Sequence, residues 1–520
     1  MKKSYIAIVG LSLFVTLICW SLSSPINSHR DERYYIGSIW CANGYNERCV
    51  PLGLDNYGNR VALFRSDMCI PPGIEETYKR ILVDRAVQGC QFEVNGNQPW
   101  KEFSVSPNID YATKEYVATN INTTLSPKYF FQIMHFFVSD NLAGSIIAMR
   151  IFTAALLCLL LVLLLVLNSH LISQAVVISL LLTLIPHGLF LSSGITISGW
   201  AYIGCSFSWA FLYFLLDRET KTKAVLLLAT LGWIMSTAVA IVSRYDAIIY
   251  IVITNFLVVA IRLANSRIRK TTVTISLLLL VVGIYVLRSN FEVIYAMTSS
   301  RPGTITNFYD LLLIAGNAGK LAIATPLRIF GLEGVGWHPM GPPLPVFVAT
   351  TVLFVFVVYA IHERSNRVQN TFLVLTIGFY LAICISQTYL HPDWSAPFYY
   401  VRTGWRGDEF HSRYFLPIVP FIIGMIVLLA RKAKSLISEK NFRMMFISIL
   451  FFTHFISLRS IGIIFRENSL WYWREFPLGV DSLLVMGSLS FFVFLISATQ
   501  VFSNEPPRTS PNEIAMTTSD

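Results

Sequence analysis

The side chains of this chain that could do chemistry gather in a few short polar runs. The first is Asp31-Glu32, set within Ser28-His29-Arg30-Asp31-Glu32-Arg33-Tyr34-Tyr35 just past the first apolar stretch. Two adjacent carboxylates among basic neighbours suit a general base, a divalent-metal ligand or a cation anchor. The plainer alternative is the solvated start of a loop. A second run extends from Trp405 to Pro417, with Arg406, Asp408, Glu409, His411 and Arg413, and ends in Arg413-Tyr414-Phe415-Leu416-Pro417. There Arg413 stands at the mouth of an apolar helix, where a guanidinium can grip a phosphate through two parallel hydrogen bonds or simply snorkel. Arg150 opens a long apolar run and has the same two options. Ser243-Arg244-Tyr245-Asp246 is a tight turn whose arginine either pairs with its own aspartate or binds an anion.

What must position these groups is a membrane-spanning scaffold. Of the 520 residues, 54% are hydrophobic and 13% charged, about half the charge of an ordinary soluble domain. Apolar runs long enough to cross a bilayer recur along the chain, about twelve in all. They fall at 4–22, 142–167, 171–191, 195–216, 224–242, 247–263, 272–287, 344–361, 371–388, 415–429, 442–458 and 482–501. The net charge of +10 does not point to nucleic acid, because much of the Lys/Arg excess lies in short loops on one side. That is the positive-inside pattern. It places both termini in the cytoplasm and 23–128 outside. The expected organisation is a first transmembrane helix (1–22), an extracytoplasmic loop (23–141), helices (142–288), a second outer loop (289–343), helices (344–501) and a cytoplasmic tail (502–520). The 311–329 stretch, broken by Asn317, Lys320 and Pro326, reads as re-entrant or interfacial. The first apolar run also admits a signal-peptide reading, although its length favours a retained anchor.

The first outer loop carries Cys41, Cys49, Cys69 and Cys90, which in an oxidising compartment suggest two disulfides with three possible connectivities. Cys19, Cys158, Cys205 and Cys384 fall inside spans and read as small apolar packers. No spacing supports a zinc site. Pro127-Lys128-Tyr129-Phe130-Phe131-Gln132-Ile133-Met134-His135-Phe136-Phe137 is aromatic-rich and suggests a helix along the outer membrane surface. Asn122-Thr123-Thr124 matches a glycosylation sequon, a weak signal by itself.

Taken in order, these residues resemble a family of bacterial membrane proteins of unknown function related to the GT-C glycosyltransferases. Asp31-Glu32 occupy the acidic positions of that family's Pro-Asp-Glu-Pro-x-His motif after the first span. Arg413-Tyr414-Phe415-Leu416-Pro417 meets its late Arg-Tyr-aliphatic-Leu-Pro motif, and Met149-Arg150 and Ser243-Arg244 are weaker landmarks. Arg30 and Arg33 replace the flanking prolines, and Tyr35 stands in place of the histidine, so no role of that histidine carries over. The resemblance implies an all-α, GT-C-like bundle of about twelve helices in a bacterial inner membrane. It also implies transfer of a sugar from a polyprenyl-phosphate donor to a glycan, glycolipid or protein acceptor on the extracytoplasmic face. Asp31 or Glu32 would act as base, and Arg150, Arg244, Arg413 and Tyr414 would hold lipid phosphate or substrate; the acid pair leaves a divalent metal open. The competing readings are a transporter or flippase of lipid-linked saccharide and a non-catalytic envelope-assembly protein. Against the transporter stand the lack of a detectable repeat and the gathering of charge at the outer boundary.

Overall fold

Long apolar runs become long helices because a bilayer leaves backbone groups no partner outside the segment itself. In the computed structural model, residues 3–24, 32–43, 49–54, 60–65, 116–121, 128–139, 142–167, 169–217, 222–264, 415–429, 440–466 and 479–500 are described, with isolated positions between 312 and 381. Helix α1 (Lys3–Ser23) is followed by the short α2 (Glu32–Trp40), strands β1 (Cys49–Leu54), β2 (Arg60–Arg65) and β3 (Tyr116–Ile121), and α3 (Lys128–His135). Then come α4 (Leu142–Val166), α5 (His170–Thr183), a π turn (Leu184–Gly188), α6 (Leu189–Ser192), α7 (Ile197–Leu215), α8 (Lys223–Ser243) and α9 (Tyr245–Ala264). A 3-10 turn (Leu416–Ile418) leads into α10 (Val419–Leu429), and α11 (Lys440–Arg466) and α12 (Val480–Thr499) complete the described chain.

Six helices among the described residues are long and apolar enough to cross a membrane: 4–23, 144–166, 171–192, 223–243, 443–461 and 481–499. A twelve-helix bundle is therefore not established. The expected spans at 272–287, 344–361 and 371–388, and the re-entrant stretch at 311–329, lie outside the described residues apart from isolated positions. The expectation of an all-α fold needs one correction. Strands β1, β2 and β3 form an antiparallel sheet in that order, Cys49 facing Phe64 and Arg60 facing Ile121. The alternation in Arg60-Val61-Ala62-Leu63-Phe64-Arg65 and Tyr116-Val117-Ala118-Thr119-Asn120-Ile121 is too short and mixed to stand out beside runs of twenty apolar residues.

Among the described residues, helix α7 is enclosed by its neighbours. All its residues but Tyr213 and Leu215 are buried, and it packs against α8, α9, α4 and α10. Most of its residues are small or aromatic, and Gly204 shows why small ones are needed. A Cβ there would lie 2.5 Å from the backbone of Ser236 and Ala240 on α8, so the two backbones meet directly. Thr196 caps the helix by accepting from the Gly199 amide at 2.9 Å. Helix α12 lies along α1, joined by Thr16 and Ser490 hydroxyls 3.0 Å apart. Behind them Trp20 donates to His454 Nδ1 at 3.4 Å, and that imidazole stacks on Phe491, centroids 4.1 Å apart.

Candidate functional site

Helix ends carry charge logic. The last carbonyls of a helix lack partners and present partial negative charge, while the first amides present the reverse. At the end of α1 the chain meets this demand with a residue from another helix. Arg150, the ninth residue of α4, donates through Nη1 to the carbonyls of Ser21 at 2.8 Å and Ser24 at 2.6 Å. Its Nε reaches Glu32 Oε1 at 3.1 Å, and Nη2 reaches Oε1 and Oε2, both at 2.9 Å. A guanidinium has five N–H groups, and these contacts engage every nitrogen. Glu32 stands in the first turn of α2, where an anion is favoured. Its Oε1 also accepts from the Ile195 amide at 3.4 Å. The two side chains are 1% and 0% exposed. One buried ion pair thus fastens the end of α1, the start of α2, the flank of α4 and the turn before α7.

The same design recurs at the next helix junction. Arg244 follows the last residue of α8 and pairs with Asp246 in the first turn of α9. Its Nε donates to Asp246 Oδ1 at 2.8 Å, Nη2 to Oδ2, and Nη1 to Ser198 Oγ at 3.0 Å. Ser198 lies three residues beyond Ile195, so the turn before α7 touches one pair and the first turn of α7 the other. They therefore share one end of the bundle. Here the arginine side chain is 8% exposed and the aspartate 34%, which makes this the more open of the two. At the opposite end of α7, Arg262 pairs with Asp217 at 3.3 Å, donates to the Tyr213 carbonyl at 3.2 Å and lies 3.8 Å above the Tyr213 ring.

Helix α7 serves as a ruler along the bundle. Its nineteen residues span about 28 Å. Both Glu32–Arg150 and Arg244–Asp246 touch its first residues or the turn before them, so they lie at the same end of it.

The expected site residues are placed as follows. Arg150 neither snorkels nor stands open to a phosphate, because its donors are committed to two carbonyls and a carboxylate. Glu32 is held as the counter-ion of that arginine. For Arg244, the internal pair with Asp246 is the arrangement found. Asp31, Arg413 and Tyr414 lie outside the described residues. Phe415, which follows Tyr414, is buried, and the 3-10 turn after it packs against α7 and α9. Cys41 is disulfide-bonded; Cys49 lies in β1, and Cys69, Cys90 and Cys384 lie outside the described residues. Cys19, Cys158 and Cys205 are free and buried, as packers would be. No group of three His, Cys, Asp or Glu that could hold a metal ion occurs among the described residues. Sequence reasoning did not find Ser198 or the Ser21 and Ser24 carbonyls. The available signal was physical: an arginine inside an apolar helix needs acceptors, and an ending helix supplies them.

A bundle of long apolar helices with charge-paired junctions at its boundary defines an integral membrane protein. The chain belongs to the family described as "Predicted membrane protein (DUF2142)", whose pattern it matches over residues 13–422. That stretch runs from within α1 into α10; α11 and α12 follow it, and α12 nonetheless packs on α1. No curated protein and no solved structure matches the chain.

Proposed function

We propose that this protein is a membrane glycosyltransferase that moves a sugar from a polyprenyl-phosphate donor to a cell-envelope acceptor, working at the end of the bundle where α1 finishes. The observation that carries the reading is the Glu32–Arg150 clasp. On this reading the pair holds Glu32, the second residue of the acidic motif, at the end of the bundle where a lipid-linked donor presents its phosphate and sugar. The clasp also divides the work of the acid pair. Glu32 accepts from Arg150 Nε, Arg150 Nη2 and the Ile195 amide, and a carboxylate so held is turned to those donors rather than to an acceptor hydroxyl. Asp31, its neighbour in sequence, takes the catalytic role.

In the reaction, Asp31 accepts the proton of the acceptor hydroxyl as that oxygen attacks the anomeric carbon. The bond between that carbon and the phosphate oxygen breaks, and polyprenyl phosphate leaves with the electron pair. Positive charge must meet the leaving phosphate. With Arg150 committed, Arg413 with Tyr414 is the first choice, in keeping with the family motif. Arg244 contributes at the same end if Asp246, the more exposed partner, yields it. The test is turnover in nanodiscs of polyprenyl-phosphate carrying a labelled sugar. Appearance of labelled product with stoichiometric polyprenyl phosphate supports the proposal; an intact donor with every class of acceptor overturns it.

One observation favours the transporter as second reading. The span at 171–192 is interrupted by the π turn Leu184–Gly188, where Ile185 leaves helical geometry, and interrupted helices are common around transporter sites. Movement of intact donor between leaflets, without release of polyprenyl phosphate, would favour that reading.

A further inference from the structure

Helix α3 has two faces of the same chemistry and only one is covered by protein. Phe130, Phe131 and Met134 are buried. Phe130 meets the Trp200 ring edge-on at 5.0 Å, and Tyr35 of α2 lies 6.3 Å from both phenylalanines. On the other side Tyr129 is 55% and Phe136, just past the helix, 86% exposed. Leaving a phenylalanine almost wholly in water is unfavourable against burying it.

The neighbours of α3 say what surrounds that outer face. Trp200 lies three residues into α7, about 5 Å below its first residue. Phe137 packs on Phe152 of α4 at 5.0 Å, and Phe152 in turn lies 5.9 Å from Trp200. So α3 is at the level of the first turn of α7 and lies against a helix apolar and long enough to span, Phe152 being eight residues inside the 144–166 stretch. Exposed Lys128 opens the helix, its Nζ 5.7 Å from the Tyr129 ring, with a stem long enough to reach lipid phosphates. Helix α3 also grips α2, since His135 Nδ1 and the Ile39 carbonyl are 2.8 Å apart.

We infer that α3 is seated in the bilayer, with Tyr129 and Phe136 among the phospholipid acyl chains, and that it fixes the height of α2 at the membrane surface. The occupant of the outer face is lipid rather than a protein partner. This inference does not depend on the transferase reading, because it concerns the seating of α2 and not the reaction.

The test replaces Phe136 with photoreactive benzoylphenylalanine in the full-length protein, in nanodiscs of phosphatidylethanolamine and phosphatidylglycerol. Leu227 of α8, 61% exposed on a spanning helix, receives the same substitution as the reference. After irradiation, intact-mass spectrometry reads the adduct. A phospholipid adduct at position 136 with a yield within about threefold of position 227 is the expected result. Lipid adducts at 227 with none at 136, or a cross-link from 136 to a second protein chain, would overturn it.

Discussion

Removing one partner of the Glu32–Arg150 pair should damage the fold far more than removing both. Glu32→Ala leaves a guanidinium buried without its counter-ion, facing the Ser21 and Ser24 carbonyls. Stranding one charge of a buried pair costs about 3–5 kcal/mol, and these carbonyl acceptors put this variant at the lower end, about 3 kcal/mol. Arg150→Met strands the Glu32 carboxylate with the Ile195 amide at 3.4 Å and also orphans two helix-end carbonyls, so it belongs at the upper end, about 5 kcal/mol. The double variant Glu32→Leu, Arg150→Met buries no unpaired charge. It should cost at least about 2 kcal/mol less than the sum of the single changes, a coupling within the range seen for contacting residues. Pulse proteolysis of purified protein in one detergent, run as a double-mutant cycle, measures all four species. Additivity within about 0.5 kcal/mol would refute the clasp and, with it, the reason for assigning Glu32 a holding role.

Four further outcomes are expected. Asp246→Asn should cost about 1 kcal/mol or less, since its carboxylate is one-third exposed, whereas Arg244→Ala should cost more because Ser198 also loses its partner; thermal unfolding ranks the two. Gly204→Leu should prise α7 from α8 and abolish monodisperse protein in size-exclusion chromatography; a wild-type profile would contradict the packing. Non-reduced peptide mass spectrometry should find Cys41 in a disulfide, one of two among the four outer-loop cysteines, each contributing about 2–4 kcal/mol; a free Cys41 thiol would count against it. Single-cysteine labelling in intact cells should reach position 60 without permeabilisation, and labelling only after permeabilisation would reverse the orientation.

The spanning helices were legible because a bilayer demands long unbroken apolar runs, and α1, α4, α8 and α12 supply them with few charges. Helix α7 was legible as an element but not as one enclosed by its neighbours. Its serines, glycines and aromatics lower its apolar average, and only packing reveals that they let neighbouring backbones approach. The charged landmarks could be found in the sequence, yet their partners could not. Glu32 and Arg150 are 118 positions apart, and nothing local marks an arginine as spent on a helix end. Arg244 and Asp246 are two residues apart, so their pairing was foreseeable as one of two alternatives. The sheet was hidden for another reason: six-residue strands carry too few alternations to outweigh the strong helical signal around them.

The acid pair supplies the most direct measurement. Asp31→Asn and Glu32→Gln should be compared for transfer of labelled sugar from polyprenyl-phosphate in nanodiscs, each normalised to folded protein. The account predicts that Asp31→Asn keeps the fold and loses about 100-fold or more in turnover, the scale of a missing general base. Glu32→Gln, which weakens the clasp, should lose folded protein first, its folded fraction retaining turnover within about tenfold. Full turnover in Asp31→Asn, or a selective catalytic loss in a stably folded Glu32→Gln, would contradict the assignment of base to Asp31 and clasp to Glu32.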